Sequence, residues 1–302
     1  MNNTQNFESK SYDSHAGWYD ARFPDQASKE KFLLNGSKQG TIAHWDDIRF
    51  LKVLEPFLKE KSTWLTVGDA YGTDANYLMT KSQTATASDI SGGMFETAKQ
   101  LGIITSYAVE NAEKMSFADN SFDYVFCRES FHHFPRPYLA LYEMIRVSKK
   151  AVIMVEPIDI LQTMPAILWL KNILDRFNVE WINKIWKNRF SFETVGNYVY
   201  KISEREIEKT AMGINLRSVA FYKLNDFDKT KPVGNEVPPD KKVFRKIKRD
   251  IGIKNFLAKL GVIPYYILCP VIFKQEPSEQ NINDMKLLQF KYIRLPKNPY
   301  LK

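Results

Sequence analysis

The stretch WLTVGDAYGTDANYL, residues 64–78, predicts the turn around which the fold is built. Its first residues are apolar, as in a buried strand, and Gly68 and Gly72 follow, as in the glycine-bearing turn that joins strand to helix in doubly wound domains. Ala70 stands where a middle glycine is usual, and Thr66 stands where an acid is usual. The loop therefore predicts a cofactor site, and taken alone it fits a Rossmann dehydrogenase as well as other enzymes.

The pattern beyond this turn predicts an α/β fold. Short apolar runs alternate with helical patterns up to residue 156, as in a parallel sheet with crossover helices. After Pro157 the chain is dense in Trp, Ile and Leu at helical spacing, which predicts a helical cap. Pro270, in the apolar run 265–273, indicates an edge strand or a bulge.

We therefore predict a Rossmann-like, doubly wound α/β fold with a mostly parallel seven-stranded sheet, a helical N-terminal lid and a helical cap insertion. The predicted parts are a lid at 1–60, a cofactor-binding core at 61–157, a cap at 158–200, the remainder of the core at 201–275 with a basic insertion at 229–259, and a C-terminal tail at 276–302.

Composition narrows the class of protein. The chain has 302 residues, of which 44% are hydrophobic, enough for one main domain with embellishments. The first ten residues lack the features of a signal peptide and no apolar run is as long as a membrane span, so we expect a cytoplasmic protein without a transmembrane segment. Cys127 and Cys269 do not form a CxxC motif, which argues against a disulfide framework or a cysteine zinc site.

The net charge of +8 is concentrated in one segment. Between Lys229 and Lys259 there are ten Lys or Arg residues against three acids, a surplus of seven. Such a segment predicts contact with an anionic partner: a phosphorylated substrate, a membrane surface or nucleic acid. A solvated helical face that only keeps the protein soluble explains the same charge.

Three segments in order resemble class I S-adenosylmethionine-dependent methyltransferases, especially the small-molecule branch that includes the ubiquinone methyltransferases. They are TASDISGGMFETAKQ (86–100), ENAEKMSFADNSFDYVFCRESFHHF (110–134) and PYLALYEMIRVSKKAVIMVEP (137–157). The resemblance extends over about residues 45–225. It implies S-adenosylmethionine as cofactor and S-adenosylhomocysteine as product.

The resemblance also implies which residues bind the cofactor. Asp89 would accept both ribose hydroxyls, a charge-assisted interaction. Ile90 and Met94 would cover the adenine, while Asn111 and the backbone N–H of Ala112 would contact its edge. The absent acid at Thr66 is the main departure from the family pattern, and Asp69 or Asp74 could replace it. The full set expected to bind the cofactor is Gly68, Asp69, Ala70, Gly72, Asp89, Ile90, Met94, Asn111, Ala112 and Arg128.

The acceptor side is expected at CRESFHHF (127–134), the segment just beyond the fourth predicted strand. Methyl transfer is an in-line displacement, so the enzyme mainly aligns the acceptor and excludes water. By resemblance to small-molecule methyltransferases, His133 is the first candidate for a general base and His132 the second. Glu129 and Glu156 could orient the acceptor or cofactor, and Tyr12, Tyr19 and Arg22 look like a lid.

The sequence does not favour a metal site. Apart from His132 and His133 the only histidines are His15 and His44, so a third ligand would have to be a carboxylate.

The predicted function is methyl transfer to an oxygen or nitrogen of a small-molecule or glycan-like acceptor, which could be phosphorylated. RNA or protein methylation is an alternative suggested by the basic segment, although nucleic acid is not the expected partner because CRES replaces the motif of amino-directed nucleic-acid methyltransferases. A non-catalytic protein that binds S-adenosylmethionine is a third possibility, prompted by Thr66 and Ala70. The sequence leaves the oligomeric state open.

Overall fold

The computed structural model describes residues 3–36, 40–177, 179–185, 191–193, 197–226 and 241–300. Its strands are β1 Thr63–Val67, β2 Thr84–Asp89, β3 Ser106–Val109, β4 Phe122–Arg128, β5 Ser148–Pro157, β6 Ser218–Leu224, β7 Ile267–Phe273 and β8 Lys291–Arg294. They form one sheet in the order β3-β2-β1-β4-β5-β7-β6-β8. The first five strands pair in parallel, whereas β7 runs antiparallel to both β5 and β6. The predicted doubly wound α/β fold is thus confirmed, with eight strands where seven were expected.

The strand order places a ligand crevice beside β1. From β1 the chain proceeds outward through β2 and β3 and then crosses back to β4 on the other side. In open α/β sheets, ligands bind at such a reversal, beyond the carboxyl ends of the strands.

Helices precede, connect and extend the sheet. They are α1 Asn3–Arg22, α2 Gln26–Gly36, α3 Ile42–Leu51, α4 Thr73–Thr80, α5 Phe95–Gln100, α6 Pro137–Val147, α7 Ile160–Thr163, α8 Pro165–Leu174, α9 Val179–Ile185, α10 Glu204–Gly213, α11 Lys242–Lys259 and α12 Glu279–Leu287, with 3-10 turns at Lys52–Phe57 and Phe131–His133. The extra strand, β8, and α12 lie in the segment expected to be only a tail. β8 pairs antiparallel with β6.

The expectation that Pro270 marks an edge strand or a bulge needs correction. β7 lies between β5 and β6, and Pro270 is opposite Phe221 in the ladder with β6. On the β5 side, pairing is interrupted between the pairs Ile153–Val271 and Glu156–Leu268. Because proline has no N–H to donate, this interruption is how an interior strand accommodates it.

Apolar side chains on both faces of the sheet are buried, since alternate residues of a strand point to opposite faces. Trp64 and Phe126 belong to the cluster on one side, and Leu65 and Val125 to the cluster on the other. The core therefore holds the carboxyl ends of β1 and β4 in fixed positions.

The cap and the basic helix differ in how they bury their apolar residues. No side chain of α8 is buried, and Trp169 in that helix is 67% exposed. By contrast, α11 buries Phe244, Ile247 and Ile251 in a cluster that includes Ile42 of α3. The first part of the predicted basic insertion, 229–240, lies outside the described residues, as do 186–190 and 194–196 of the predicted cap and the side chain of Tyr19. Among the described helices, none has the length and apolar character needed to cross a membrane.

Candidate active site

The turn after β1 needs glycine at two positions. Gly68 has φ +73°, and a Cβ added there would lie 2.3 Å from the Cβ of Ser130. Gly72, the N-cap of α4, has φ +70°, and its Cβ would lie 2.6 Å from Ile104. Ala70 is not among the residues with positive φ. A side chain is therefore tolerated at position 70 without the strain that it would meet at the two glycines.

The residues around the missing acid form a small buried network. The Thr66 hydroxyl donates to Asp69 Oδ2 at 2.9 Å, and the N–H of Ala75 donates to the same oxygen at 2.9 Å. Asp69 thus stabilises the start of α4, where negative charge is favourable. Burial, with a further contribution from Asp74, raises the pKa of this carboxyl. The Asp69 carboxyl thus binds partners within the protein. It is not among the residues that line the pocket described below.

Arg128 and Asp74 form a buried ion pair behind the same turn. Arg128 Nε donates to Asp74 Oδ1 at 2.9 Å, and its Nη1 donates to Asp47 of α3 at 2.8 Å. Burial opposes the charge, but Asp74 and Asp47 raise the pKa of Arg128, so its guanidinium stays protonated. The structure thus places Arg128 between α3 and α4, away from the pocket lining.

One pocket lies at the carboxyl ends of β1, β2 and β4. Its lining includes Gly68, Asp89, Ile90, Asn111 and Ala112, five of the ten residues expected to bind the cofactor. The other five, Asp69, Ala70, Gly72, Met94 and Arg128, do not line it, and Met94 is buried in the core.

The polar groups of this pocket suit a nucleoside. Asp89 ends β2, and its Oδ1 accepts the N–H of Ser91 at 2.7 Å, which leaves further acceptor capacity for hydroxyl groups. Burial raises the pKa of Asp89 to about 6, so the carboxyl is ionised at neutral pH. The Asn111 side-chain oxygen accepts the N–H of Glu113 at 2.9 Å, and its second lone pair remains for a ligand.

The opposite side of the pocket comes from α1 and from the residues after β4. Tyr12 and His15 of α1 line it together with Glu129, His133 and Phe134. Burial, and next the neighbouring Glu113 carboxylate, raises the pKa of the Tyr12 phenol. Glu129 has φ +49°, a left-handed conformation that is unusual for this residue type and is often found at functional sites.

Glu156 fixes the turn that carries the two histidines. Its side chain is fully buried, and its Oε1 accepts the backbone N–H groups of Ser130 and Phe131, each at 2.9 Å. Its Oε2 lies 2.6 Å from His132 Nδ1. Glu156 therefore holds the turn in place from within the core. This geometry does not favour the expectation that Glu156 contacts acceptor or cofactor, because it does not line the pocket described above.

The two adjacent histidines have opposite environments. Burial lowers the pKa of His132, but its hydrogen bond to Glu156 outweighs that effect and the pKa is raised. Burial, with His132 and His15 nearby, lowers the pKa of His133 to about 3. At neutral pH His133 is therefore a neutral imidazole. Of the two, only His133 lines the pocket.

Sequence reasoning missed Glu193 at this site. Its Oε1 lies 2.5 Å from His133 Nδ1, and its Oε2 lies 3.9 Å from His15 Nε2. Glu193 is 60 positions after His133, inside the apolar and aromatic cap segment, where an acid carries no local signal of function. Only the path of the chain brings it next to the histidines.

Comparisons with known proteins identify a family for the central part of the chain. Residues 65–155 match a family model described as a methyltransferase domain. No curated protein matches the chain. Similar solved structures include a SAM-dependent methyltransferase from Archaeoglobus fulgidus, with 13% identity, 81% of this chain and 99% of that chain covered, and a TM-score of 0.48.

Two further solved structures show similar values. A SAM-dependent methyltransferase from Methanosarcina mazei has 15% identity, covers 74% of this chain and 98% of its own, and has a TM-score of 0.47. The 1,6-didemethyltoxoflavin-N1-methyltransferase from Burkholderia thailandensis, with bound 1,6-didemethyltoxoflavin and S-adenosylhomocysteine, has 11% identity, coverage of 82% and 87%, and a TM-score of 0.45.

The family match defines the class of the central part of the chain: residues 65–155, which hold the first five strands of the sheet, form a methyltransferase domain. The chain is accordingly a methyltransferase, and its cofactor is S-adenosylmethionine.

Proposed function

We propose that the chain methylates an oxygen of a small-molecule or glycan-like acceptor that lies between the nucleoside side of the pocket and His133. One observation carries this proposal: a single pocket at the carboxyl ends of β1, β2 and β4 joins Asp89, Ile90 and Asn111 to His15 and His133. The bound cofactor would supply a methyl group from its sulfonium. The protein would supply alignment and a dry environment.

The cofactor-binding roles belong to this proposal. Gly68 would allow close approach to the cofactor, Asp89 would accept from the ribose hydroxyls, and Ile90 and Ala112 would contact the adenine together with Asn111. Asp69, Ala70, Gly72 and Met94 would act by shaping the turn and its surroundings, because they do not line the pocket. Arg128 would act in the same indirect way through its ion pair with Asp74.

Oxygen is favoured over nitrogen because a hydroxyl acceptor must lose a proton, and His133 lines the pocket with its Nδ1 2.5 Å from the Glu193 carboxylate. A carboxylate at that distance would stabilise positive charge on the ring. His132 faces Glu156, so its role would be to support the turn. Glu129, at the pocket and in an unusual backbone conformation, would orient the acceptor.

The basic residues of α11 and its N-cap favour a form of this proposal in which the acceptor is anionic. Lys241, Lys242, Arg245 and Lys246 are all exposed, and their charge would attract a phosphorylated or otherwise anionic molecule. The same face would allow contact with a membrane surface. A cytoplasmic location and the division into lid, core, cap and tail remain predictions from the sequence.

The test is a His133→Ala variant with His132→Ala as its companion. We expect turnover to fall by about 10²- to 10⁴-fold in His133→Ala and by less in His132→Ala, with S-adenosylmethionine affinity nearly unchanged in both. Transfer of labelled methyl groups and calorimetry measure the two quantities. Equal small losses in both variants would contradict a role for His133 in removing the acceptor's proton.

The same assays separate the alternatives. A protein that binds the cofactor but transfers no methyl group to any acceptor would be the non-catalytic form. An RNA methyltransferase would bind RNA with an affinity that falls steeply as salt rises.

A further inference from the structure

Two imidazoles and a carboxylate meet at the acceptor side of the pocket. One potential ligand atom each of His15, His133 and Glu193 lies within 4.8 Å of the other two. The three residues come from α1, from the turn after β4 and from the segment 191–193. Folding therefore assembles this group from three distant parts of the chain.

Two atoms of the group are buried without a hydrogen bond. They are His133 Nδ1 and Glu193 Oε2, for which the described residues offer no hydrogen-bond partner. Although His133 Nδ1 lies 2.5 Å from Glu193 Oε1, the two atoms lack the alignment of a hydrogen bond. Buried polar atoms without partners cost free energy, so such a pair in a native site requires an explanation.

The neighbouring residues hold the group in place. Asn197 Nδ2 donates to the backbone carbonyl of His133 at 2.6 Å and lies 3.5 Å from His15 Nδ1. The Ser11 hydroxyl donates to Asn197 Oδ1 at 2.5 Å, and both side chains are buried. Asn197 thus joins α1 to the histidine turn, in the manner of the outer contacts that orient metal ligands.

We propose that His15, His133 and Glu193 bind one divalent cation of the zinc type. Imidazole nitrogens with a carboxylate oxygen suit Zn²⁺ and similar transition ions better than Mg²⁺. Three protein ligands are the usual number in a catalytic zinc site, where a fourth position stays open. The carboxylate that the sequence could not supply next to the histidines is Glu193.

This inference rests on the proposed function and specifies how the acceptor's proton is removed. His15 and His133 both line the pocket, so the open position of the cation faces the acceptor. A hydroxyl oxygen bound there has a lowered pKa, and its proton leaves to solvent water. In this form of the proposed function, His133 promotes loss of the acceptor's proton as a ligand of the cation and does not accept the proton itself. The acceptor class is a hydroxyl compound whose oxygen reaches the open position.

The experiment uses the full-length chain after removal of metal with a chelator. Calorimetry measures binding of Zn²⁺, and separately of Mg²⁺, to the wild type, His15→Ala, Glu193→Gln and the control His44→Ala. His44 is the one histidine outside this region and lies on α3. S-adenosylmethionine binding is measured on the same samples and reports whether each variant is folded.

We expect one equivalent of Zn²⁺ to bind to the wild type and to His44→Ala, and Mg²⁺ not to compete. Loss of a ligand in His15→Ala or Glu193→Gln should weaken Zn²⁺ binding by more than about 100-fold, beyond the effect of losing an outer contact. The inference is overturned if the wild type binds no Zn²⁺, or if both ligand variants bind it as tightly as the control. If Zn²⁺ does not bind while cofactor binding is intact, only the metal site is refuted. If the cofactor does not bind, the proposed function is refuted as well.

Discussion

Gly68 and Asp89 lie on backbone that the sheet itself fixes, whereas His15 and Glu193 reach the same region from segments outside the sheet. On the cofactor side, β1 pairs with β2 and β4 residue by residue, and the turn between β1 and α4 is held by Asp69. On the side of the two histidines, contacts such as the hydrogen bond from Asn197 Nδ2 to the backbone carbonyl of His133 hold the parts together. The comparison shows that one side of the pocket is built on the sheet, while the other side is assembled by contacts between segments outside it.

The largest effect should come from the close packing beneath the cofactor side. Gly68 and Gly102 have nearly the same φ, +73° and +72°, but an added Cβ meets Ser130 at Gly68 and nothing within 4 Å at Gly102. Gly102→Ala should cost about 1–2 kcal/mol of unfolding free energy for the left-handed backbone alone. Gly68→Ala should cost about 1–3 kcal/mol more, because Ser130 must move.

Denaturant unfolding of both variants measures this difference, and calorimetry measures cofactor binding. S-adenosylmethionine affinity should fall in Gly68→Ala and stay unchanged in Gly102→Ala. If the two variants lose the same stability, the contact between Gly68 and Ser130 does not constrain the turn.

A substitution at Glu156 of β5 tests whether the turn that carries the two histidines depends on this buried carboxylate. Glu156→Gln keeps the shape but removes a buried charge that receives hydrogen bonds from Ser130, Phe131 and His132. We expect a loss of about 1.5–3 kcal/mol in unfolding free energy, the usual range for hydrogen bonds to a charged group. Turnover should fall while cofactor affinity changes little.

The matched control is Glu143→Gln. Glu143 pairs with Arg146, and both side chains are partly exposed, so that substitution should cost about 1 kcal/mol or less. A loss at Glu156 no larger than the loss at Glu143 would mean that the histidine turn is held by its backbone alone.

The sequence was informative where local pattern decides structure. The apolar strand, the glycines at 68 and 72 and the acid at 89 predicted the crevice, because a parallel sheet places these elements at one edge whatever else the chain contains. The interior position of β7 was not predicted, since the proline rule describes a preference that an interrupted ladder can satisfy. Glu193 was not predicted because its function depends on a contact across 60 residues, which no local pattern reports.

Asp89 offers a smaller effect confined to the cofactor side. Asp89→Ala removes an acceptor of charge-assisted hydrogen bonds, worth about 1.5–3 kcal/mol or roughly 10- to 150-fold in S-adenosylmethionine affinity. Unfolding free energy should not fall by a similar amount, because burial raises the pKa of this carboxyl and its charge therefore does not stabilise the fold. Calorimetry on the variant gives the comparison with wild type, and unchanged affinity would refute the ribose contact.

The pH dependence of the wild type should agree with that result. With a pKa of about 6, Asp89 gains a proton as the pH falls through that value and loses the charge that the ribose hydroxyls would meet. Cofactor affinity should therefore be constant above about pH 7 and decline below about pH 6, while Asp89→Ala shows no such decline. A decline of equal size in the variant would assign the titration to another group.

The smallest effect is expected at α11, which belongs to neither side of the pocket. Its apolar face packs against α3 through Phe244 and Ile247, and its lysines and arginines other than Lys254 are exposed to solvent. If this charge attracts an anionic acceptor, replacing Lys241, Lys242, Arg245 and Lys246 with Gln should raise the acceptor KM by a few-fold at low salt, and by less at high salt because ions screen the attraction. S-adenosylmethionine carries no net negative charge and binds at the sheet edge, so its affinity should hardly change. Steady-state assays of the quadruple variant at low and high ionic strength measure both quantities, and a KM equal to that of the wild type at both would show that the face serves solubility alone.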